Sequence, residues 1–390
     1  MKTDCDVVLL SYESPDLLKK CVKSVLENTK VPTRLIIVDN ASKDPEVARY
    51  LQGLHGNDKV VIEKVFSEEN AGFAAGMNKG MRLSDSPFLC LLNNDCVVTE
   101  GWLEEMISIA HYNDDIGMVN PQSNTFGSRP DEGASIDDHG TLLLYRRGKF
   151  VELGHAVAFA CLIKRRVIDK IGYLDEAFKG VCYEDTDYSA RAQQAGFLCV
   201  MAEGAYVYHL EQASRKNLKG KKEIYRKNRE LFEQRWGKLL RIFFYDPAAE
   251  REGRLAERYD TMKGLARERM IIEMRVKRRT SGEGIFLGAD RRKMTRHADV
   301  AVKPFPKGVK ALTILWRVLT KKKKFDAVIM PNGFLVKLLR LLKPFHGAEV
   351  FNIKKKSLVM AGNGMLYDLK NPSSVAEYLR GRKRRKKSNK

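Results

Sequence analysis

Four groups of polar residues in the first 210 positions have the types and spacing to do chemistry. Asn93-Asn94-Asp95 follows the apolar run Leu89–Leu92. A carboxylate with amide neighbours at a strand end suits a hard divalent cation shared with a diphosphate. The same three residues also suit an ordinary turn. Tyr183-Glu184-Asp185-Thr186-Asp187-Tyr188 sets three carboxylates within four residues. They repel one another unless a cation or a proton transfer needs them, and a carboxylate beside a diphosphate can act as general base on an acceptor hydroxyl. The helix dipole alone also favours acids in a first turn. His209 closes the run Tyr206-Val207-Tyr208-His209; read alone it is a surface or hydrogen-bonded histidine, and beside Asp95 it becomes a second ligand for an Mn²⁺-type ion. Asn70–Gly80 (NAGFAAGMNKG) places small residues at a helix start, where free N–H groups can receive an anion. Tight helix packing accounts for the same composition. The segment is neither a Walker loop nor a dinucleotide fingerprint.

These groups need elements that hold them, and the apolar patterning supplies them. Val7–Leu10, Arg34–Asp39, Val60–Val65 and Phe88–Leu92 read as strands. Asp16–Asn28 carries Leu17, Leu18, Cys21, Val22, Val25 and Leu26 at helical spacing, with Ser14 as N-cap and Pro15 at the first helical position. Ala71–Leu83 reads as a second helix. Strands alternating with helices predict a parallel sheet covered on both faces, with ligands bound beyond the carboxyl ends of the strands. Asp39 and Asn93-Asn94-Asp95 lie at such ends. Residues 121–150 lack periodicity and read as a long loop over a site. Beyond it come an apolar run at Ala156–Ile163, helices at Arg166–Ile171 and Tyr183–Ala195, and a strand at Phe197–Met201.

Taken in order, the segments VVLLSYESPDLLKKCVKSV, LIIVDNAS, NAGFAAGMNKG, FLCLLNND, GYLDEAF, YEDTDYSARAQQAGF, VYH and NRELFEQRWG resemble glycosyltransferase family 2. The resemblance spans about residues 5–240 and is nearest to the bacterial rhamnosyltransferase-like branch, which builds cell-surface polysaccharide. It implies the GT-A fold, a nucleotide-diphospho-sugar transferase fold with a mostly parallel mixed sheet and helices on both faces. It further implies that Ser11, Tyr12 and Asp39 line the nucleobase and ribose pocket, and that Asn70, Gly72, Gly76, Asn78 and Asn94 lie beside the nucleotide sugar. Asp95, aided by His209, would hold Mg²⁺ or Mn²⁺ on the diphosphate; Asp185 would be the general base and Glu184 would orient the acceptor. The implied reaction is a single displacement with inversion, from a nucleotide-sugar donor to a glycan or lipid-linked acceptor. The chain departs from the family's DxD in having one acid, in Asn93-Asn94-Asp95, which puts more weight on His209.

Composition divides the chain. Of 390 residues 44% are hydrophobic, enough for a real core, and the formal net charge is +21. Residues 1–210 carry a net charge of −9 and the remaining 180 carry +30. A basic half seeks a polyanion: anionic lipid, nucleic acid or a phosphorylated glycan. The absence of a recognised nucleic-acid motif or stacking-aromatic pattern argues against nucleic acid. The seven cysteines all fall in the acidic part and form no CxxC pair, as in a reduced cytosolic chain. No signal-peptide pattern and no run of about 18 apolar residues is present, so the expected location is cytoplasmic, peripheral on the inner face of a membrane. The expected domains are a catalytic domain at 1–245, a charged helical linker at 246–283, a small basic α/β domain at 284–380, and a basic disordered tail at 381–390. Short runs at Ile285–Leu287, Ala298–Val302, Ala327–Met330 and Ser357–Met360 mark the strands of the small domain. Gly333–Pro344 reads as a basic amphipathic helix whose apolar face is Phe334, Leu335, Leu338, Leu339, Leu341 and Leu342. It suits anionic lipid, or equally the core of the second domain. Two other classes of protein fit the same residues: a non-catalytic nucleotide- or glycan-binding module on a degenerate transferase fold, and a basic membrane-binding protein.

Overall fold

The computed structural model describes residues 3–180, 182–210, 220–246, 254–276, 295–304, 311–331, 333–354, 357–360, 364–368 and 371–388. The chain divides into two compact units, Met1–Trp236 and Gly237–Lys390.

The first unit is built on strands β1 (Cys5–Ser11), β2 (Thr33–Asp39), β3 (Val60–Phe66) and β4 (Phe88–Asn93), all parallel, in the order β3-β2-β1-β4. Beyond β4 the sheet turns mixed. β8 (Ala160–Lys164) is antiparallel to β4 and to β6 (Ile116–Gln122). β9 (Leu198–His209) runs parallel to β6 and pairs antiparallel with β7 (Phe150–Leu153) and β5 (Cys96–Val98). Alternate residues of each strand enter opposite cores. Val7, Leu9, Leu35 and Ile37 pack with α1 (Pro15–Asn28), α2 (Pro45–Gly53) and α4 (Trp102–Tyr112). Val8, Leu10, Ile36 and Val38 pack with α3 (Phe73–Leu83), α6 (Arg165–Ile171) and α7 (Glu184–Gln194). A last helix of this unit, α8, spans Lys221–Trp236. The expected α/β architecture, a mostly parallel mixed sheet with helices on both faces, is therefore what the chain forms.

Several local expectations change. Ser14 does not cap α1: it sits at φ 57° with no side-chain cap bond, and Pro15 alone supplies the expected start. Glu13 instead accepts from the amides of Lys43 and Asp44, both at 3.0 Å, so the chain entering α1 is tied to the loop after β2. Residues 121–150 are not one long loop. They contain α5 (Ile136–Leu143), properly capped by Ser135, whose hydroxyl accepts from the Asp138 amide. The polar content of that segment hid a helix of only two turns. The separate runs at Phe197–Met201 and Tyr206–His209 are one 12-residue strand, β9. None of the seven cysteines is in a disulfide.

The second unit holds a sheet in which Val300–Pro304, Met270–Val276, Leu240–Tyr245, Ala327–Met330 and Glu349–Lys354 are parallel neighbours in that order, followed by the antiparallel strands Ser357–Met360 and Leu366–Asp368. Its first strand in sequence, Leu240–Tyr245, lies at the middle of the five parallel strands, a doubly wound order. Residues 246–283, expected as a helical linker, include the helix Arg254–Arg267 and the interior strand Met270–Val276, both packed in this unit's core. The charged residues of that stretch masked a strand whose inward positions Met270, Ile272, Met274 and Val276 alternate perfectly. Of the tail expected to be disordered at 381–390, residues 381–388 continue the helix Pro372–Ser388. Ala298–Val302 maps onto Val300–Pro304, while Ile285–Leu287 lies outside the described residues. Glu273 on the buried strand is held by Arg317 (2.9 Å), Lys321 (2.6 Å) and Arg275 (2.8 Å). Burial would raise its pKa, but the hydrogen bonds from Arg317, Lys321 and Arg275 outweigh that and lower it to about 2.

Candidate active site

The carboxyl ends of β1, β2 and β4 form the floor of the candidate site. Registration puts Ser11 beside Asp39, and Leu10 beside Asn93, so the three strand ends stand abreast. β1 is also where the order of the parallel strands reverses, the place where an open α/β sheet leaves a crevice between its helices. Ser11 and Asp39 are buried, while Tyr12 is 43% exposed and leaves its ring open to a planar partner. Asp39 Oδ1 accepts from the Ser42 hydroxyl (2.5 Å) and amide (3.3 Å), and that hydroxyl accepts from the Glu13 amide (2.9 Å). Ser11 Oγ and Asn93 Oδ1 are buried without a partner among the described residues. A buried polar atom ordinarily has one, so both are candidates for bonding to a ligand at the strand ends.

The Asn70–Gly80 segment divides by role. Asn70 Oδ1 accepts from the Gly72 amide (2.9 Å) and from Asn40 Nδ2 (3.0 Å), and Asn40 Oδ1 accepts from the Ala71 amide (3.1 Å). Asn40 thus ties the β2 end to the start of α3. Gly72 sits at φ +81°, a left-handed conformation that glycine adopts without strain, and opens α3 without a side-chain cap. Gly76 serves packing: a Cβ there would meet Leu10 Cδ1 at 2.6 Å and Asn40 Nδ2 at 3.3 Å. Asn78, expected beside the nucleotide sugar, is 1% exposed, and its amide is used on protein. It donates to Leu174 O (2.9 Å) and Glu176 Oε1 (2.8 Å) and accepts from the Leu174 amide (3.0 Å). Its geometry is that of a clamp on the 174–176 loop, the GYLDEAF segment, and corrects that expectation.

Asp95 and His209 come together. Asp95 Oδ1 and His209 Nε2 are 3.1 Å apart although 114 positions separate them, because β5, which begins at Cys96, pairs with the end of β9. Two ligands at right angles on an ion with bonds of about 2.1 Å lie about 3 Å apart, so this pair already has the spacing of neighbouring ligands on one octahedral cation. Cys96 lies close enough to join them. Its thiol donates to Phe159 O (3.4 Å) within the core, and burial foremost pushes its pKa well up. Asn124 holds His209 from behind: its Oδ1 accepts from the His209 amide (2.7 Å), and its Nδ2 donates to the His209 carbonyl (2.9 Å). The Phe159 ring stacks on the imidazole with centroids 5.4 Å apart. Asn94 is buried next to Asp95.

α7 brings up the carboxylates. Glu184 is its first residue and is buried. Asp185 Oδ1 accepts from the Thr186 amide (2.6 Å) and hydroxyl (3.1 Å), and Oδ2 accepts from the Ala158 amide at 3.3 Å. Asp187, the third acid, is structural: it is 1% exposed and bonds Arg191 (2.9 Å), Arg235 (3.4 Å) and the Trp236 indole (2.8 Å). Consecutive residues therefore join the two chemical groups, since Ala158 touches Asp185 and Phe159 stacks on His209.

The chain enters α7 through a left-handed turn. Cys182 and Tyr183 have φ of 81° and 78°, a left-handed pair without glycine. α8 holds it: Asn228 Nδ2 donates to the carbonyls of Lys179 and Cys182, each at 3.0 Å, while Tyr183 packs between Tyr225 and Phe232. Asn40, Asn124 and Asn228 were not singled out from sequence. Asn40 and Asn228 sit inside the segments LIIVDNAS and NRELFEQRWG; Asn124 had no signal, since its partner is 85 positions away.

Residues 6–172 match the family described as Glycosyl transferase family 2. "Glycosyltransferase AglE" of Haloferax volcanii is 23% identical over 214 residues, covering 52% of this chain and 66% of that protein. "O-antigen biosynthesis protein RfbC" of Myxococcus xanthus is 26% identical over 233 residues, covering 54% of this chain and 17% of that protein. The chain thus spans less than two thirds of each relative's length. Among solved structures, a mannosyltransferase from Pyrobaculum calidifontis in complex with GDP-Man and Mn²⁺ shares 14% identity at a TM-score of 0.42, over 55% of this chain and 59% of that one.

Proposed function

We propose that the N-terminal unit, a glycosyltransferase family 2 domain, transfers a hexosyl or rhamnosyl unit from a nucleotide-diphosphate sugar to a glycan or lipid-linked acceptor, with inversion, in cell-surface polysaccharide synthesis. The observation that carries this reading is the junction at Ala158-Phe159, which sets a carboxylate (Asp185) beside a cation-type pair (Asp95 and His209) above three parallel strand ends. A general base and a diphosphate anchor need that proximity.

In this reading Ser11, Tyr12 and Asp39 receive the nucleoside, Asn70, Gly72 and Asn94 border the sugar diphosphate, and Asp95 and His209 would hold Mg²⁺ or Mn²⁺. Such an ion supplies neutralisation of the leaving diphosphate. Asp185 takes the proton of the acceptor hydroxyl as its oxygen bonds to the anomeric carbon; the bond from that carbon to the diphosphate breaks, and the nucleoside diphosphate leaves with the electron pair. Glu184 orients the acceptor. Thr186 and the Ala158 amide keep the Asp185 carboxylate aimed. We place the protein in the cytoplasm, at the inner face of a membrane, where a lipid-linked acceptor would be within reach.

The test is turnover across a panel of nucleotide sugars with the wild type and Asp185→Asn. The variant should bind donor almost normally and lose at least about 10²-fold in turnover, the low end for general base catalysis. Near-normal turnover in a folded variant would remove Asp185 from this role. No transfer or donor hydrolysis with any nucleotide sugar would favour a binding module.

A further inference from the structure

The second unit exposes apolar side chains that its own core does not use. The helix Phe334–Leu341 buries Val336 and Leu339 and turns the opposite face outward. Phe334 and Leu341 are each 75% exposed, and Phe345, in the following turn Lys343–His346, is 74% exposed. The neighbouring helix Ala311–Thr320 packs beside both segments and exposes Trp316 by 68%. The apolar face expected from sequence is thus split: Leu339 belongs to the core, while Phe334 and Leu341 point away from it. The helix's register against the sheet decides this, and hydrophobic spacing alone could not.

The surroundings of these residues are cationic. Lys337 and Arg340 lie exposed on the same helix, and Lys322 and Lys323 are exposed in the connection after the Trp316 helix. None of these four makes an ion pair with the described residues. Their neighbours Lys321 and Lys343 are different, being tied to Glu273 and Glu349 at 2.6 Å and 2.7 Å. Large apolar and aromatic tips with exposed cations beside them in the chain match a surface with hydrocarbon beneath a negative headgroup layer. An apolar protein surface would leave these cations without counter-charges, and nucleic acid would leave Leu341 and Phe345 without a use.

We propose that Phe334, Leu341, Phe345 and Trp316, with Lys322, Lys323, Lys337 and Arg340, form a docking surface for an anionic phospholipid bilayer. The apolar tips enter the headgroup–acyl boundary and the cations meet the phosphates. This deepens the membrane part of the functional reading and is independent of the transfer chemistry, so either can fail alone.

The experiment uses the full chain with vesicles of phosphatidylcholine alone and of phosphatidylcholine with phosphatidylglycerol. Binding should be confined to the anionic vesicles and weaken from 0.1 M to 1 M salt, as the Debye length falls from about 10 Å to about 3 Å. Each cation at the surface contributes a factor of roughly five, so Lys337→Gln with Arg340→Gln should weaken binding about 25-fold. Phe334→Ser with Leu341→Ser and Phe345→Ser should abolish the salt-resistant remainder; these side chains are mostly exposed, and an unchanged thermal transition verifies the fold. On the unsubstituted protein, brominated lipid should quench tryptophan emission, and Trp316→Phe should remove that quenching. Equal binding to both vesicle types, or unaltered binding by either set of variants, overturns the proposal. So does an apolar variant that changes only the oligomeric state, which would make a second copy of the chain the occupant. Binding to RNA that depends on the cations and ignores the apolar set, with no vesicle binding, also overturns it.

Discussion

Replacing Asn228 should disturb the candidate active site without touching it. Asn228 is 4% exposed, and its amide holds two backbone carbonyls, Lys179 O and Cys182 O, at 3.0 Å each. Those carbonyls bracket the turn that enters α7 through Cys182 and Tyr183, where each left-handed non-glycine residue costs about 1–2 kcal/mol. The turn persists because neighbours hold it. Each hydrogen bond is worth about 1 kcal/mol net, and a carbonyl left half-buried without a donor adds to the loss, so Asn228→Ala should cost about 2–3 kcal/mol. For a unit of this size that corresponds to a fall in Tm of about 5–10 °C. Asn228→Asp should be worse than Ala despite its matching shape, because a buried carboxylate oxygen would then face two carbonyl oxygens. Differential scanning calorimetry of the full chain reads the stability. Turnover at saturating donor reads the site, since α7 carries Asp185, and kcat should fall further than donor affinity. An Asn228→Asp protein with wild-type kcat and a Tm within ~1 °C of the parent would refute the claim that this clamp sets α7.

Two further outcomes are expected. Calorimetry with nucleoside diphosphate should show tighter binding with Mn²⁺ than in chelator, and Asp95→Ala or His209→Ala should erase the difference; identical affinity with and without the ion in the wild type would end the metal assignment. Glu273 has its folded pKa lowered from 4.5 to about 2, so it stabilises the second unit fully above about pH 4.5 and loses that contribution as pH falls towards 2. The contribution is at most about 3 kcal/mol, and acid unfolding of Glu273→Gln should lack this pH dependence between 4.5 and 2; an unchanged acid limb would contradict it.

Much of the first unit was legible in the residues alone. A strand's alternation and a helix's 3.6-residue period are local, and β1 to β4 with α1 and α3 announce themselves within a few positions of their bounds. So do acids at strand ends and at a helix start, which is why Asp39, Asp95 and Asp185 stand out in the sequence. Charge obscured the second unit: Met270–Val276 sits in a stretch dense in Arg and Glu, and only its pairing on both sides reveals a central strand. Partnership is what a sequence leaves open. Asn78 and Asn124 are the same residue type, yet Asn78 clamps a loop 96 positions away while Asn124 holds the histidine beside Asp95. Asp185 and Asp187 are two positions apart, and packing alone assigns Asp187 to Arg191, Arg235 and Trp236 and leaves Asp185 beside Ala158. The amphipathic helix Phe334–Leu341 shows the same limit, because which leucines meet the core depends on how the helix is turned against the sheet. Propensity and periodicity are set by neighbours along the chain; contact between distant side chains is set by strand register and helix rotation, which exist only once the whole unit has packed.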